Sequence, residues 1–371
     1  MEFINKTKGN IKIMGNLKKL TMALAAVVAC INAHAIDLVT NGDTTLSLGG
    51  YIKAEGIFAF PDDKDTNAIS DFEGNIRESR INLEVNTLVE DKKLKGFIEG
   101  DFYGDYANGG SDLRLRHAFL QIDNVTVGKT WNGQFFATAP LLTEQLDIYG
   151  GSLGTVAGNG LNVRPDWTVH YVNKGLRITA QEPVYDDADF PDLVASYRGK
   201  VSDFGYNTPD IDYIVAVMGR DVSTGVGNNK DSDIGVGASL AGKLNLGFGS
   251  LHASVYTGEG MGVYSGLCAT GPLNPGIEDS CDAEDGDLVS QTGFRVGYRH
   301  VFSPKISGNM RYGKVKINNE ADTTLDVKSV NLIYNYLPDV DFGIELRDRS
   351  ETTLPWRQAG QELEVMAKYK F

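Results

Sequence analysis

Long hydrophobic runs are missing from this sequence. Beyond residue 35 no stretch contains 18 consecutive apolar residues, whereas a membrane-spanning helix needs about 20 of them. Positive charge is also in deficit, because 35 Lys and Arg stand against 49 Asp and Glu and the formal net charge is −14. The first absence excludes a helical membrane domain, and the second excludes a nucleic-acid binder held by a basic surface.

The first 35 residues have the pattern of a secretory signal peptide. Two lysines precede an apolar stretch over residues 20–31, and small residues at positions 33 and 35 predict cleavage after Ala35. A short buried helix is the alternative for this stretch. Residues 1–13 are consistent with an upstream mis-start, since Met14 would begin a more typical leader. The mature chain is then 36–371, and its net charge is −18 because the leader holds five Lys and one Glu.

Cysteine is scarce, with three in the chain, of which Cys268 and Cys281 belong to the mature part. They flank a segment rich in Gly, Pro and Asp, and an exported chain meets oxidising conditions. We therefore expect a loop disulfide between Cys268 and Cys281. A pair of free thiols is the alternative that the spacing leaves open.

The sequence does contain alternation with a period of two residues, without a sustained helical period. Near the end of the chain, for example, Leu363, Val365 and Tyr369 face one way, and Glu364 and Lys368 face the other. Sixteen segments with this pattern are predicted to be strands: 44–60, 77–89, 94–103, 113–122, 125–131, 167–173, 176–182, 191–201, 209–220, 233–243, 245–258, 288–302, 305–317, 323–337, 339–350 and 361–371.

A soluble β-sandwich would also alternate, so the lengths of strands and connections decide the architecture. Most of these segments have ten or more residues, as a tilted membrane strand requires, whereas sandwich strands usually have about five or six. Seven short turns alternate strictly with eight longer connections, as in a barrel with periplasmic turns and outer loops. The sequence therefore predicts an all-β transmembrane, antiparallel, up-and-down β-barrel of about 16 strands.

A barrel of that size leaves an aqueous channel, so its selectivity depends on what narrows it. The third long connection, about 132–166, is the longest between neighbouring strands and is rich in small residues. Because structureless loops of this length are usually functional or disordered, we expect it to fold into the lumen as a constriction. It carries Glu144 and Asp147, with Arg164 near its return.

Arginines are predicted on the barrel wall that faces this loop. Alternation places Arg80 on the polar face of the second strand, Arg114 and Arg116 on one face of the fourth, and Arg77 at the mouth of the second. Opposed to the acidic loop residues, these guanidinium groups would create a transverse field and a site for anions.

The alternative is that the arginines pair with acidic residues inside the barrel, namely Glu84, Glu99 and Asp101. No spacing rule separates the two arrangements. A second set of arginines is predicted by alternation to line the lumen on the opposite wall: Arg295, Arg299, Arg311, Arg347 and Arg349.

Signals for catalysis or for a metal are weak. The G-x-S-x-G pattern at 150–154 lies in a Gly-rich connection, without the strand-turn-helix that a serine nucleophile needs. His117, His170, His252 and His300 lack the spacing of metal ligands. The sequence therefore predicts no catalytic residue, no metal site and no cofactor.

Several segments resemble those of the DcaP-like outer-membrane channels and, more loosely, of Gram-negative porins: 78–83, 94–102, 113–119, 127–131 and 164–171. The resemblance covers roughly residues 77–195 well. It implies a homotrimer that takes up small anions such as dicarboxylates, with channel arginines at Arg80, Arg114 and Arg116. The long N-terminal helical extension of some members is not expected here, because the first strand begins within about ten residues of the predicted mature start.

Together these features predict a passive channel in the outer membrane of a Gram-negative bacterium. Its solutes would be small and hydrophilic, with a preference for anions such as carboxylates. Expected partners are further copies in a homotrimer, lipopolysaccharide and outer-membrane lipid, and the barrel-assembly machinery, whose terminal signature the aromatic end at Phe371 resembles. The alternatives are a barrel enzyme of phospholipase or protease type, which needs a converging Ser/His or Asp/His set, and a structural or adhesion barrel.

Overall fold

The computed structural model describes residues 35–61, 72–104, 109–133, 146, 164–184, 186, 188–202, 209–225, 231–265, 281–320, 322, 324–349 and 359–371. The predicted signal peptide therefore lies outside the described residues, apart from Ala35. No helix in the described part is long and apolar enough to cross a membrane. The one short helix described there is α1, Gly262–Ser265.

The strands of the described residues are β1 Ile36–Asn41, β2 Thr44–Pro61, β3 Phe72–Asn75, β4 Arg80–Val89, β5 Lys92–Gly104, β6 Asp112–Ile122, β7 Val125–Lys129, β8 Thr168–Asn173, β9 Leu176–Gln181, β10 Asp192–Val201, β11 Ile211–Ser223, β12 Ser232–Asn245, β13 Gly249–Glu259, β14 Ala283–Glu284, β15 Asp287–Leu288, β16 Ser290–Ser303, β17 Ile306–Ile317, β18 Thr324–Leu337, β19 Val340–Arg349 and β20 Gly360–Lys370.

The main sheet closes on itself. Neighbouring strands pair antiparallel in chain order, and β20 pairs with β2 from Tyr51 opposite Lys370 to Pro61 opposite Gly360. Both β3 and β4 pair with β2, so together they form one barrel strand. The hairpin of β14 and β15 lies outside this sheet. The result is a closed antiparallel barrel of 16 strands, and each predicted segment overlaps a strand of it.

Three elements differ from the prediction. The predicted segment 77–89 starts too early, because residues 77–79 lie in a turn in which the Ser79 amide donates to the Ile76 carbonyl at 3.0 Å; this turn separates β4 from β3, which was not predicted. Strand β1 was not predicted; five of its six residues pair with the start of β2, beyond the end of β20. The third difference is the structure between β13 and β16, where α1, β14 and β15 are too short to produce a periodic signal.

The two faces of the barrel have opposite character. Large apolar side chains point outward and are accessible, as Leu83, Val217 and Ile344 show with 42%, 58% and 46% exposure. Their neighbours along each strand point inward and are mostly polar or charged. Because hydrocarbon offers no hydrogen bonds to the backbone, a closed sheet is the arrangement of strands that tolerates such an apolar surround.

Tight turns join several strand pairs at one rim. Glu90 and Asp91 have φ of 48° and 63° between β4 and β5, and Lys174 and Gly175 have φ of 47° and 89° between β8 and β9. Two successive residues with positive φ form the hairpin turn whose twist matches that of paired strands. A Cβ on Gly175 would lie 2.3 Å from the Arg198 carbonyl oxygen, so this turn requires glycine.

Candidate solute pathway

Three of the predicted arginines lie on inward positions of adjacent strands. Arg80 of β4 is opposite Asp101 of β5, which is in turn opposite Arg114 of β6. Arg116 follows the same alternation as Arg114, and a bulge opposite Glu99 and Gly100 leaves it without a register partner. The structure therefore brings Arg80, Arg114 and Arg116 to one wall, where alternation had placed them.

Two of these arginines are held by carboxylates of the same wall. Asp101, which has no exposed surface, accepts hydrogen bonds from Arg114 Nε at 2.9 Å and Nη2 at 2.6 Å, and from Arg116 Nη1 at 2.7 Å. Arg116 also donates to Glu99 at 2.9 Å. Arg114 and Arg116 thus show the ion pairing that was the alternative to a free anion site.

Arg80 is held less tightly. Its guanidinium lies 4.0 Å from Glu99 and 5.2 Å from the centre of the Tyr51 ring. Its Nε and Nη2 atoms are buried and have no hydrogen-bond partner among the described residues. Glu84, the third acid of the alternative, forms its ion pair with Lys95 at 2.6 Å instead.

The remaining arginines of this region occupy different places. The Arg164 guanidinium lies 4.7 Å from the Trp131 ring centre, and Arg116 approaches the same ring at 5.7 Å. Trp131 thus connects the start and the return of the connection 132–166 to the arginine wall. Arg77 lies in the turn between β3 and β4 and donates from Nε to the Gly110 carbonyl at 3.1 Å.

One residue in the middle of the predicted constriction loop is described, and it lies inside the barrel. Leu146 is buried and packs with Ile333 of β18 and Met366 of β20. Its carbonyl accepts a hydrogen bond from Lys53 of β2 at 2.5 Å, and its amide donates to Glu345 of β19 at 3.2 Å. The connection begins after β7 and returns before β8, so Leu146 reaches the wall on the far side of the lumen.

The acidic residues predicted for the loop, Glu144 and Asp147, lie outside the described residues. Whether they face the arginine wall remains a prediction.

The opposite wall carries the second set of arginines. Arg295 and Arg299 of β16 and Arg311 of β17 occupy inward positions, and neither strand contains an Asp or a Glu. Arg311 is near enough to Arg295 for the two guanidinium charges to repel each other. These two strands therefore direct basic side chains inward; Arg295 and Arg311 are almost completely buried, and Glu345 of β19 lies near enough to attract the Arg311 charge.

The arginines of β19 lie in an acidic setting instead. Arg347 pairs with Glu345 at 3.1 Å, Glu364 at 2.6 Å and Glu362 at 3.4 Å, and Arg349 also pairs with Glu362. All five side chains are buried. Each of the two guanidinium groups thus has a carboxylate partner, and the three glutamates outnumber the arginines.

Two buried cations were not predicted. Lys53 forms ion pairs with Glu55 and Glu78, and Arg220 of β11 lies 3.5 Å from Asp192. Both occupy inward positions that alternation marks as polar. The predicted site was limited to arginines near the predicted loop and on the opposite wall. Lys53 of β2 and Arg220 of β11 were therefore not included.

Cys281 is disulfide-bonded and buried; Cys268, its predicted partner, lies outside the described residues. Among the residues that the structure describes, no group of three or more His, Cys, Asp or Glu side chains is arranged to hold a metal ion.

No protein-family model and no curated protein matches the sequence, but solved structures match its fold. The outer-membrane channel DcaP of Acinetobacter baumannii superposes with a TM-score of 0.70 at 17% identity, over 90% of this chain and 99% of that one. An anion-selective porin from Comamonas acidovorans gives 0.59 at 11% identity, over 88% and 100%. The trimer form of OmpT, an outer-membrane protein of Vibrio cholerae, gives 0.55 at 14% identity, over 88% and 99%.

The chain has the outer-membrane porin fold. Nearly the whole length of each of these porins is covered, so the likeness extends to the complete barrel. Inside this barrel, the inward face carries the charged side chains described above. Leu146 of the third long connection lies against the wall on the far side of the lumen.

Proposed function

We propose that this chain is an outer-membrane porin through which small hydrophilic solutes diffuse passively, with a preference for anions such as carboxylates. The observation that carries the proposal is a closed 16-strand barrel that is apolar outside and has arginine rows inside. A barrel of this size has a lumen wide enough for water and small solutes. The barrel thus provides a lumen for solutes, and its inward arginines place charge along that lumen.

The preference for anions rests on the basic surface of β16 and β17. Arg295, Arg299 and Arg311 point into the lumen from strands that have no acidic residue of their own. Field lines are focused where charges of one sign line a narrow passage with low-dielectric walls. An anion entering this passage is therefore attracted, although the chain as a whole has a formal net charge of −14. One structural neighbour is described as an anion-selective porin.

We further propose that the connection 132–166 forms the constriction. Leu146 supports this, because its contacts with Lys53 and Glu345 hold the middle of the connection against the far wall. Arg80, Arg114, Arg116 and Arg164 lie on the wall from which the connection departs. Solutes would then pass between that wall and the loop, and the predicted loop acids Glu144 and Asp147 would face the arginines.

The chain is further proposed to act as a homotrimer, as a structural neighbour described in trimer form suggests. Its outward apolar band would contact outer-membrane lipid and lipopolysaccharide, and the barrel-assembly machinery would insert it. Electrophoresis of unheated protein in detergent tests the trimer: we expect one band at three times the mass of the heated chain, and a band at the mass of one chain would reject it.

One observation bears on the enzyme alternative. Ser250 and His252 point inward from β13, and the Ser250 hydroxyl lies 2.7 Å from His252 Nε2. A serine nucleophile needs such a contact, but polar side chains two residues apart on a strand also satisfy each other in this way. A fluorophosphonate probe distinguishes the two, since an activated Ser250 would be labelled and a structural one would not.

The anion preference is tested with a matched pair of variants in planar bilayers. Arg311→Gln removes a positive charge from the inward face of β17, and Lys314→Gln removes one from the outward face of the same strand. We expect the wild-type protein to give stepwise, anion-preferring currents. Arg311→Gln should shift the reversal potential in a salt gradient toward cations, and Lys314→Gln should leave it unchanged. Equal shifts in both variants would refute the assignment, and no conductance over many insertions would refute the channel.

A further inference from the structure

The outer end of the lumen contains an apolar cluster where an open water-filled mouth would be expected. Its members are Val184, Val194, Ala216, Met218, Tyr256, Met261, Val263, Tyr264, Cys281, Val289, Val315, Ile317, Leu325 and Val327. Part of the set comes from inward positions of β10, β11, β13, β17 and β18. The other part comes mainly from the connection between β13 and β16, which therefore folds into the barrel.

The described parts of that connection, 260–264 and 281–289, are here called the mouth plug. Met261 and Tyr264 are 0% and 1% exposed, although they lie outside the barrel strands. The two parts are joined by backbone hydrogen bonds, since the Gly260 amide donates to the Val289 carbonyl at 3.0 Å. The mouth plug is thus one folded unit, and its apolar side chains are buried away from water.

Polar contacts fix the mouth plug to the wall formed by β9, β10 and β11. The Tyr264 hydroxyl donates to Asp192 and accepts from Gln181 at 2.8 Å. Burial raises the pKa of Tyr264 far above its ordinary range, and Asp192 acts in the same direction, so the hydroxyl keeps its proton. Asp282 accepts from the buried Arg220 at 2.8 Å and from the Val263 amide at 3.0 Å.

The contacts of the mouth plug extend around a wide arc of the barrel. On one side Gln181 of β9 donates to Tyr264; on the other the Glu320 amide, just after β17, donates to Glu284 at 2.7 Å, and the apolar cluster that includes the mouth plug reaches Ile317 of β17 and Leu325 of β18. In the barrel order these strands are far apart, so the mouth plug spans the lumen between them. Apolar side chains that are buried together in this way leave no room for hydrated solutes.

We propose that the mouth plug closes the part of the outer entrance bounded by β9 to β18, and that solutes enter only along the remaining arc, past β19, β20 and β2 to β8. The inference rests on the proposed channel function. It adds a second determinant of solute size, above the constriction and independent of it. The arc left open leads toward the wall that carries Arg80.

The test uses the full-length protein in planar bilayers and in liposomes that swell as sugars of increasing size enter. The triple variant Met261→Ser, Val263→Ser, Tyr264→Ser removes the apolar contacts, and Asp282→Ala is a milder second variant that removes the bonds to Arg220 and Val263. Asp285→Asn is the control, because it changes the exposed tip of the same connection, where φ is 53° and Asn is tolerated. Digestion by a Glu-specific protease reports whether Glu284 has become accessible.

We expect the triple variant to be cut faster, to conduct up to roughly twofold more because the entrance widens, and to admit larger sugars. Asp282→Ala should change in the same direction by less, and Asp285→Asn should behave as wild type. Faster cutting with unchanged conductance and size limit would overturn the plug while leaving the porin function intact. A wild-type protein that forms no channel would overturn both.

Discussion

Asp101 shows how one carboxylate decides which arginines are available to solutes. It is fully buried and binds the guanidinium groups of both Arg114 and Arg116. Arg80, on the neighbouring strand, has its nearest carboxylate at 4.0 Å. We therefore expect Arg114 and Arg116 to be mainly structural, and Arg80 to be the member of this wall that acts on an anion in the proposed channel.

This difference predicts opposite phenotypes for two substitutions of the same kind. Arg80→Gln should shift the reversal potential toward cations and leave stability unchanged, because little compensating charge is lost. Arg116→Gln should lower the free energy of unfolding by about 3–5 kcal/mol, because it removes one of the cations that compensate buried carboxylates. Urea titration of folded protein in liposomes measures the second effect, and bilayer recording measures the first. Equal loss of stability in both variants would contradict the assignment.

At the scale of the element, the tight turns determine which strands can pair in register. Gly175 and Gly247 both have positive φ, 89° and 83°, in short connections. A Cβ at Gly175 would meet the Arg198 carbonyl oxygen at 2.3 Å, whereas a Cβ at Gly247 would meet nothing within 4 Å. Substitution at the two positions therefore measures two free-energy costs separately: that of a left-handed backbone for a residue with a Cβ, and that of a steric clash.

Replacing each glycine by alanine tests this separation. Gly247→Ala should lower the free energy of unfolding by about 1–2 kcal/mol, the cost of a left-handed conformation for a residue with a Cβ. Gly175→Ala should cost clearly more, because the β9–β10 pairing has to shift as well. Urea midpoints of the two variants provide the measurement, and equal midpoints would show that the turn relaxes without strain.

The proposed constriction loop has its described anchor at Leu146. Its side chain packs with Ile333 and Met366, so Leu146→Ala should destabilise the seated loop by about 2–5 kcal/mol, as in other buried sites. The expected readout is an increase in open-channel current noise. Leu120→Ala makes the same change on the outward face of β6, where Leu120 is 47% exposed, and should not alter the noise. Quiet currents from Leu146→Ala would argue against the anchor.

At the scale of the whole molecule, charge is sorted by the closure of the sheet. The chain is acidic overall, with a formal net charge of −14, yet β16 and β17 direct Arg295, Arg299 and Arg311 into the lumen. Alternation puts these side chains on one face, and closure turns that face into the wall of a passage. The anion preference proposed above requires that the local field along these strands be positive although the net charge of the chain is negative.

Such a field should depend on salt. The screening length falls from about 10 Å at 0.1 M to about 3 Å at 1 M ionic strength, so the permeability ratio of chloride to potassium should decrease over this range. In the triple variant Arg295→Gln, Arg299→Gln, Arg311→Gln, the ratio should start closer to one and change less. A ratio that is independent of salt in the wild type would place the selectivity elsewhere.

The sequence by itself determined the barrel, because alternation, strand length and the sorting of short and long connections are all local properties of the chain. The same alternation placed Arg80, Arg114 and Arg116 on the inward face. Alternation did not predict strand β1 or the elements between β13 and β16, because these are too short or too irregular to give a periodic signal.

Only the tertiary structure decided which partner each inward charge has. Three features depend on strand register and on closure: the bulge that leaves Arg116 without a register partner, the carboxylate that Arg114 and Arg116 share, and the contact of Leu146 with a wall far away in the chain. Alternation specifies the face of a strand on which a side chain lies, but neighbours across the lumen are set by how strands tilt and stagger around the barrel. The same reason explains why the apolar cluster at the mouth could not be predicted from its scattered residues.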